Sequence, residues 1–290
     1  MNRNDFLKII TLTSIGGLTM NLKALNNISK DLKPSKRMPI MFFGHGSPMN
    51  AIENNEFTQG WTDSIKDIQR PAAIICISAH WETNGTLVTA MEKPRTIHDF
   101  GGFPKKLYEV QYPAPGNPEL AKQTSGIIPD QIRMDLQWGL DHGTWSVIKN
   151  MYPNADIPVL QLSLDYNLSP QQHYELARQL TILRDKGVLL VGSGNIVHNL
   201  GRIDWENPDK GSNWAEIANS KIKELLLKGD DKSLIEYKSL GREVQLSVPT
   251  AEHYLPMLYL LGLKGSNESL TFFNDKCVYG SLSMTSLIIE

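Results

Sequence analysis

Three apolar, strand-like runs in this 290-residue chain each lead into a short polar motif that carries a histidine. Residues 39–43 run into Gly44-His45-Gly46-Ser47-Pro48, and residues 72–77 into Ser78-Ala79-His80-Trp81. Residues 187–191 run into Gly192-Ser193-Gly194-Asn195-Ile196-Val197-His198-Asn199. Runs of this length, bounded by Gly, Pro or Asn, suit buried strands. Imidazoles delivered by separate strand ends belong to one polar site at the edge of a sheet, where α/β proteins collect their ligands. Two further histidines have distinctive contexts, Asp141-His142-Gly143-Thr144-Trp145 and Glu252-His253-Tyr254-Leu255-Pro256. Imidazole is the commonest protein metal ligand and the usual proton shuttle near neutral pH. Five of only seven histidines in such settings read as a metal site rather than a surface scatter.

Strand and helix signals alternate from Met38 onward. Strands are expected over 39–43, 72–78, 86–90, 158–164, 187–191 and 282–288, and helices over 57–69, 118–127, 170–186, 214–227, 232–237 and 252–261. Ser169-Pro170 suits a helix start, since serine caps a free amide and proline fits the first turn. Leu176, Leu180 and Leu183 then share one helical face. The pattern predicts a single α/β domain over 38–290, with a mostly parallel or mixed central sheet covered by helices.

A hydrophobic content of 41% with 21% charged residues is globular. A net charge of −2 without a Lys/Arg cluster gives no electrostatic support for a nucleic-acid or acidic-membrane partner. Cys76 and Cys277 lie far apart in apolar or small-residue surroundings and are expected to be buried free thiols; with no CxxC pair, a thiolate zinc site is not expected. Residues 1–37 read as an amino-terminal extension. Its apolar run 9–20 is too short to span a bilayer, and Arg3-Asn4-Asp5-Phe6-Leu7-Lys8 looks like a twin-arginine signal lacking its second arginine. No small-x-small cleavage site follows, so a cytoplasmic enzyme is expected, with periplasmic export the alternative. Residues 26–36 are polar and read as a linker.

The five histidine segments, together with Ile97-His98-Asp99-Phe100-Gly101-Gly102-Phe103-Pro104 and Tyr112-Pro113-Ala114-Pro115-Gly116, closely resemble the 4,5-DOPA extradiol dioxygenases of the class III extradiol ring-cleaving family. The resemblance extends over about residues 38–289, with the motifs in the family's order. It implies a three-layer α/β/α fold and cleavage of a catechol ring beside its paired hydroxyls, with both atoms of O2 inserted. It also implies His45, His80 and His253 as leading metal ligands, and His198 as a fourth ligand or a base. Glu252 is the alternative to His253, because two histidines and one carboxylate form the common oxygenase triad. On the helix expected there, the two neighbours would point about 100° apart, so one alone would face the metal.

The residues support that chemistry independently. A catechol chelates a metal through two oxygens, and neutral N/O ligands with open positions suit non-haem Fe(II). Zn(II) occupies similar ligands without redox chemistry. Ring cleavage also needs a base for the second catechol proton and a later acid, for which His198 and His142 are the candidates. Asp141 is a candidate to orient this group. Trp81 and Trp145 are candidates to wall an aromatic pocket or simply to pack. His98 either lines that pocket or pins its glycine-rich loop, and His173 is expected on a solvated helix surface. Ser47 lies outside any G-x-S-x-G elbow and reads as a turn residue or as a partner behind the metal ligands. Gly192-Ser193-Gly194 is a weak phosphate-cradle signal without a P-loop lysine. Two other functions stay open at this level: a zinc-dependent hydrolase using the same histidines, and a binding protein that kept the fold without catalysis.

Overall fold

A computed structural model describes residues 36–290, so the signal-like run 9–20 and nearly all of the linker and extension lie outside the described residues. An eight-stranded mixed sheet forms the middle layer, in the order β4-β3-β5-β2-β6-β1-β10-β7. Its strands are β1 (Ile40–Gly44), β2 (Ala73–Thr83), β3 (Thr86–Thr89), β4 (Ile132–Asp135), β5 (Val159–Asp165), β6 (Val188–Gly194), β7 (Leu270–Phe273) and β10 (Ser286–Ile289). The short strands β8 (Cys277–Val278) and β9 (Leu282–Ser283) pair separately. The centre of the sheet is parallel: β2 pairs with β5 and β6, and β6 pairs with β1. Antiparallel β10 and β7 close one side, and β3 turns antiparallel to β5 on the other.

Alternating side chains bury both faces. Ile40, Phe42, Ile75, Ile77, Val188 and Leu190 pack on one side with α3 (Pro118–Ile127), α5 (Pro170–Gln179), α6 (Asn213–Lys228) and α9 (Leu255–Leu263). Met41, Phe43, Ile74, Cys76, Leu189 and Val191 pack on the other with α1 (Glu56–Asp63), α2 (Lys105–Tyr108) and α4 (His142–Met151). Two short helices, α7 (Asp231–Ile235) and α8 (Arg242–Ser247), complete the helical layers. Strands buried on both faces explain why the central runs read as continuous apolar stretches. Cys76 and Cys277 are buried free thiols, as expected. Among the described residues no helix is long and apolar enough to cross a membrane.

Four expectations are corrected in detail. The helix expected over 57–69 ends at Asp63, and the chain continues through tight turns in which Lys66 and Ile68 bond three residues back. The helix expected over 170–186 tightens into a 3-10 segment over Leu180–Lys186, ended by Gly187 at φ +77°. Leu176, Leu180 and Leu183 nonetheless share the buried face. The strand expected over 282–288 breaks at Met284, whose backbone lies against Gly44 so closely that a Cβ there would stand 2.6 Å from it. The helix expected over 252–261 starts at Leu255, which leaves Glu252 and His253 in the preceding turn.

The amino end of the domain is pinned at the bottom of the sheet. Buried Arg184 donates to the carbonyls of Met38 (2.8 Å) and Leu263 (2.9 Å), and Met38 N–H donates back to the Arg184 carbonyl. Glu268 accepts from Arg184 and from Arg37, and those bonds pull its carboxyl down to about 2 against the opposing effect of burial.

Candidate metal centre

The carboxyl ends of β1, β2 and β6 bring the histidine motifs together. His45 follows β1 directly, and its N–H donates to the Gly194 carbonyl at 3.1 Å. His80 lies on β2 where the pairing with β5 loses register between Ile77 and Glu82. His253 sits in a turn whose carbonyl accepts from Asn195 N–H at 2.8 Å. A Cβ at Gly194 would come within 2.2 Å of that carbonyl oxygen, and one at Gly192 within 2.6 Å of Leu260. The Gly192-Ser193-Gly194 run therefore serves close packing of the His253 turn and α9, not a phosphate. His142 is the first residue of α4, with Asp141 at the N-cap accepting from Thr144 N–H. That helix escaped the sequence reading, although Asp141 as a cap with Trp145 and Ile148 at helical spacing is a usable signal.

Five rings converge. Ring centroids of His45, His80 and His253 lie 5.0, 5.1 and 5.3 Å apart pairwise. His142 stands 4.0 Å from His80, and His198 stacks parallel on His253 at 3.4 Å. One potential ligand atom from each of His45, His80 and His253 lies within 4.8 Å of the others.

Hydrogen bonding decides which nitrogens of His45 and His253 carry lone pairs. The Ser193 hydroxyl has one proton, and the Gly143 carbonyl can only accept it. His45 Nδ1, 3.0 Å from that hydroxyl, must then donate, which leaves Nε2 unprotonated. His253 Nδ1 faces Glu252 Oε1 at 3.2 Å, and its Nε2 is buried without a hydrogen-bond partner. His80 Nδ1 faces Asp99 Oδ2 at 3.5 Å. His80 Nε2 and His45 Nε2 stand 3.1 Å apart. Two nitrogens each about 2.1 Å from a shared ion, at angles between square and tetrahedral, stand roughly 3.0–3.4 Å apart. His45 Nε2 and the orphaned His253 Nε2 offer lone pairs, and His80 Nε2 adds a third when its proton is on Nδ1 beside Asp99, so the residues fit a single divalent metal. Each Nδ1 has an oxygen behind it, the outer support that metal-bound histidines use.

Burial keeps these imidazoles neutral. It lowers His45 and His253 well below the ordinary histidine range, and neighbouring imidazoles reinforce it. Burial and His142 bring His80 to about 3 against the pull of Asp99, and burial brings His198 to about 4 against the pull of Glu252. Neutral imidazole is the form that binds metal and accepts protons.

The other predicted positions sort by contact. His98 Nε2 bonds the Val110 carbonyl at 3.0 Å, which pins its loop. Buried Trp145 donates to the Ile97 carbonyl and meets the His98 ring edge-on, so it backs that loop. Trp81 stacks on Trp138 at 5.6 Å. Ser47 caps a 3-10 turn, as a turn residue should. Asp141 bonds Ser78, Gln161 and Thr144 rather than a histidine, so it supports the helix and not the rings. His173 is corrected outright: it is fully buried, with Nδ1 3.1 Å from the Tyr259 hydroxyl. Its helix face packs on α9, which a reading of α5 alone as a surface helix does not show. Asp99 is the residue the sequence reading passed over, although it stands inside a quoted motif. Its Oδ1 accepts the His142 N–H (2.8 Å) and its Oδ2 the His142 Nδ1–H (2.9 Å).

Fold and site together define an α/β enzyme with a polyhistidine centre suited to one metal ion. The family model for the catalytic LigB subunit of aromatic ring-opening dioxygenase matches residues 38–286. A protein of Escherichia coli K12 named 4,5-DOPA dioxygenase extradiol is 47% identical over 88% of this chain and 96% of its own. One of the same name from Beta vulgaris is 35% identical over 84% of this chain and 96% of its own. The crystal structure of an uncharacterized protein from Escherichia coli K12 superimposes with a TM-score of 0.76 at 41% identity, over 88% of this chain and 100% of that one. The chain belongs to the LigB family of extradiol, aromatic ring-opening dioxygenases, oxidoreductases that incorporate both oxygen atoms. Neither the hydrolase nor the non-catalytic alternative finds support among these likenesses.

Proposed function

We propose that this enzyme opens the ring of a DOPA-type catechol at an Fe(II) centre held by His45, His80 and His253, with His198 as base. The observation that carries the reading is the convergence of three neutral imidazoles whose Nδ1 atoms are each backed by an oxygen. L-DOPA is the substrate suggested by the names of the relatives. Fe(II) bound there supplies redox chemistry between a chelated catecholate and O2 that Zn(II) lacks.

The chain's own residues bind, orient and move protons. Glu252 serves as the carboxylate behind His253 rather than as a ligand, since its Oε1 already accepts from His253 and from Thr250. His198, neutral and parallel to His253, takes the second catechol proton. His142 is the second proton carrier, across the cluster beside His80. Phe100, edge-on to His142 and backed by Trp145, gives one aromatic wall for the ring, with His98 fixing the loop that carries it. Trp81, buried and stacked on Trp138, is a packing residue.

The test is oxygen uptake by anaerobically iron-reconstituted protein. With L-DOPA the expected result is one O2 consumed per catechol and a yellow ring-opened semialdehyde, with no turnover in the zinc-loaded protein. Product formed equally without oxygen, or no uptake across L-DOPA, caffeate and protocatechuate at full iron occupancy, would overturn the reading.

A further inference from the structure

We infer that Asp99 is a positioning residue for ring opening, holding His142 in one orientation and one tautomer by gripping its ring and its own backbone amide together. A carboxylate only accepts, so the 2.9 Å contact fixes the proton of His142 on Nδ1 and leaves Nε2, across the ring, as the nitrogen open to exchange. The second oxygen takes the amide of the same residue at 2.8 Å. Two bonds from one carboxylate to the first residue of α4 leave the ring little rotation about its side-chain axis. The His142 side of these bonds is buried, its side chain 6% exposed against 18% for that of Asp99.

The surrounding loop is built to deliver this carboxylate. Trp145 Nε1 holds the Ile97 carbonyl at 2.8 Å, and His98 Nε2 holds the Val110 carbonyl at 3.0 Å. Phe100 lies edge-on to the His142 ring at 5.5 Å. The residues just before Asp99 and the one just after are thus each tied down, whereas a Cβ at Gly101 or Gly102 would meet nothing within 4 Å. A loop anchored on both sides of one residue, and open two residues later, is organised around that residue. Oδ2 also stands 3.5 Å from His80 Nδ1, so one carboxylate orders a candidate ligand and a proton carrier with the same atom.

The inference rests on the ring-opening reading, and its test separates the two. Asn at position 99 keeps the shape but offers one accepting oxygen where His142 presents two donors. In iron-loaded Asp99→Asn, kcat should fall roughly 10–100-fold, as for other supporting partners of site histidines. KM should stay within about threefold, and at saturating iron, which offsets any weaker grip of His80 on the metal, iron per protein should be unchanged. In zinc-loaded, 15N-histidine-labelled protein, the His142 signal should show the Nδ1–H tautomer in wild type and lose it in the variant. Asp99→Glu, which keeps two accepting oxygens, should recover part of both effects. An unchanged tautomer, a kcat within about threefold of wild type, or iron loss in step with activity would each overturn the proposal. Wild-type protein that consumes no O2 would overturn the ring-opening reading and the catalytic half of this one, while the NMR comparison still decides the grip on His142.

Discussion

His173 and His45 are equally hidden, at 0% and 2% exposure, and burial lowers the basicity of both. Each has its Nδ1 on a hydroxyl, that of Tyr259 for one and Ser193 for the other. His173 even shares with His253 a buried Nε2 that lacks a hydrogen-bond partner. The difference is company. His173 meets one tyrosine ring beneath α5, whereas His45 lies within 6 Å of His80, His142 and His253. An orphaned imidazole nitrogen therefore does not identify a ligand; several facing one another do, because a single cation relieves them all.

The largest expected contrast comes from removing a converging ring. His45→Ala or His80→Ala should abolish metal binding and turnover while circular dichroism stays native, whereas His173→Gln should keep full metal content and activity. Within the same region, His253→Ala should lose the metal, and Glu252→Gln should only weaken its affinity by about 10–100-fold. Full metal in the His253 variant together with loss in Glu252→Gln, by elemental analysis, would exchange their roles.

A middle-sized effect is expected at His198. His198→Ala should retain most of its iron and still bind catechol, with turnover lower by roughly two to four powers of ten. Stoichiometric iron loss would make it a ligand instead, and unchanged turnover would remove it from the site.

The smallest effect sharpens the other side of the comparison. Folded His173 stays neutral down to about 4, whereas an unfolded histidine takes a proton below 6.5. Between those values the unfolded chain binds more protons, so stability is intact above about pH 6.5 and falls as the pH drops toward 4. The span from pH 7 to pH 5 corresponds to about 2 kcal/mol for this one group. Urea unfolding of His173→Gln should show a loss over that span smaller by up to this amount. A loss equal to that of wild type would mean that His173 is not neutral in the folded protein.

The parts of this protein that sequence makes legible are those with strong periodicity or dense local chemistry. The central strands carry β-branched runs on both faces, and their ends carry the histidines, so sheet and cluster can be read together. Edge strands β4 and β7 have four residues each and half-exposed patterns, too short to stand out. The start of α9 carries one mark, Pro256 in its first turn, but the helix is apolar all round and its periodicity does not exclude Glu252 and His253. Asp99 stayed hidden for another reason: its partner lies 43 residues away, and the pairing exists only once the loop after β3 folds over the start of α4.

The clamp between Arg184 and Met38 fixes the end of the sheet at which the described chain enters. Met38 is separated from His45 by Pro39 and the five residues of β1, the strand alone spanning roughly 16 Å at about 3.3 Å per residue. Residue 36, where the described chain begins, therefore lies at the end of the sheet opposite the histidine cluster. A pull applied at residue 36 is borne by the arginine clamp before it can reach β1 and the histidine at its end.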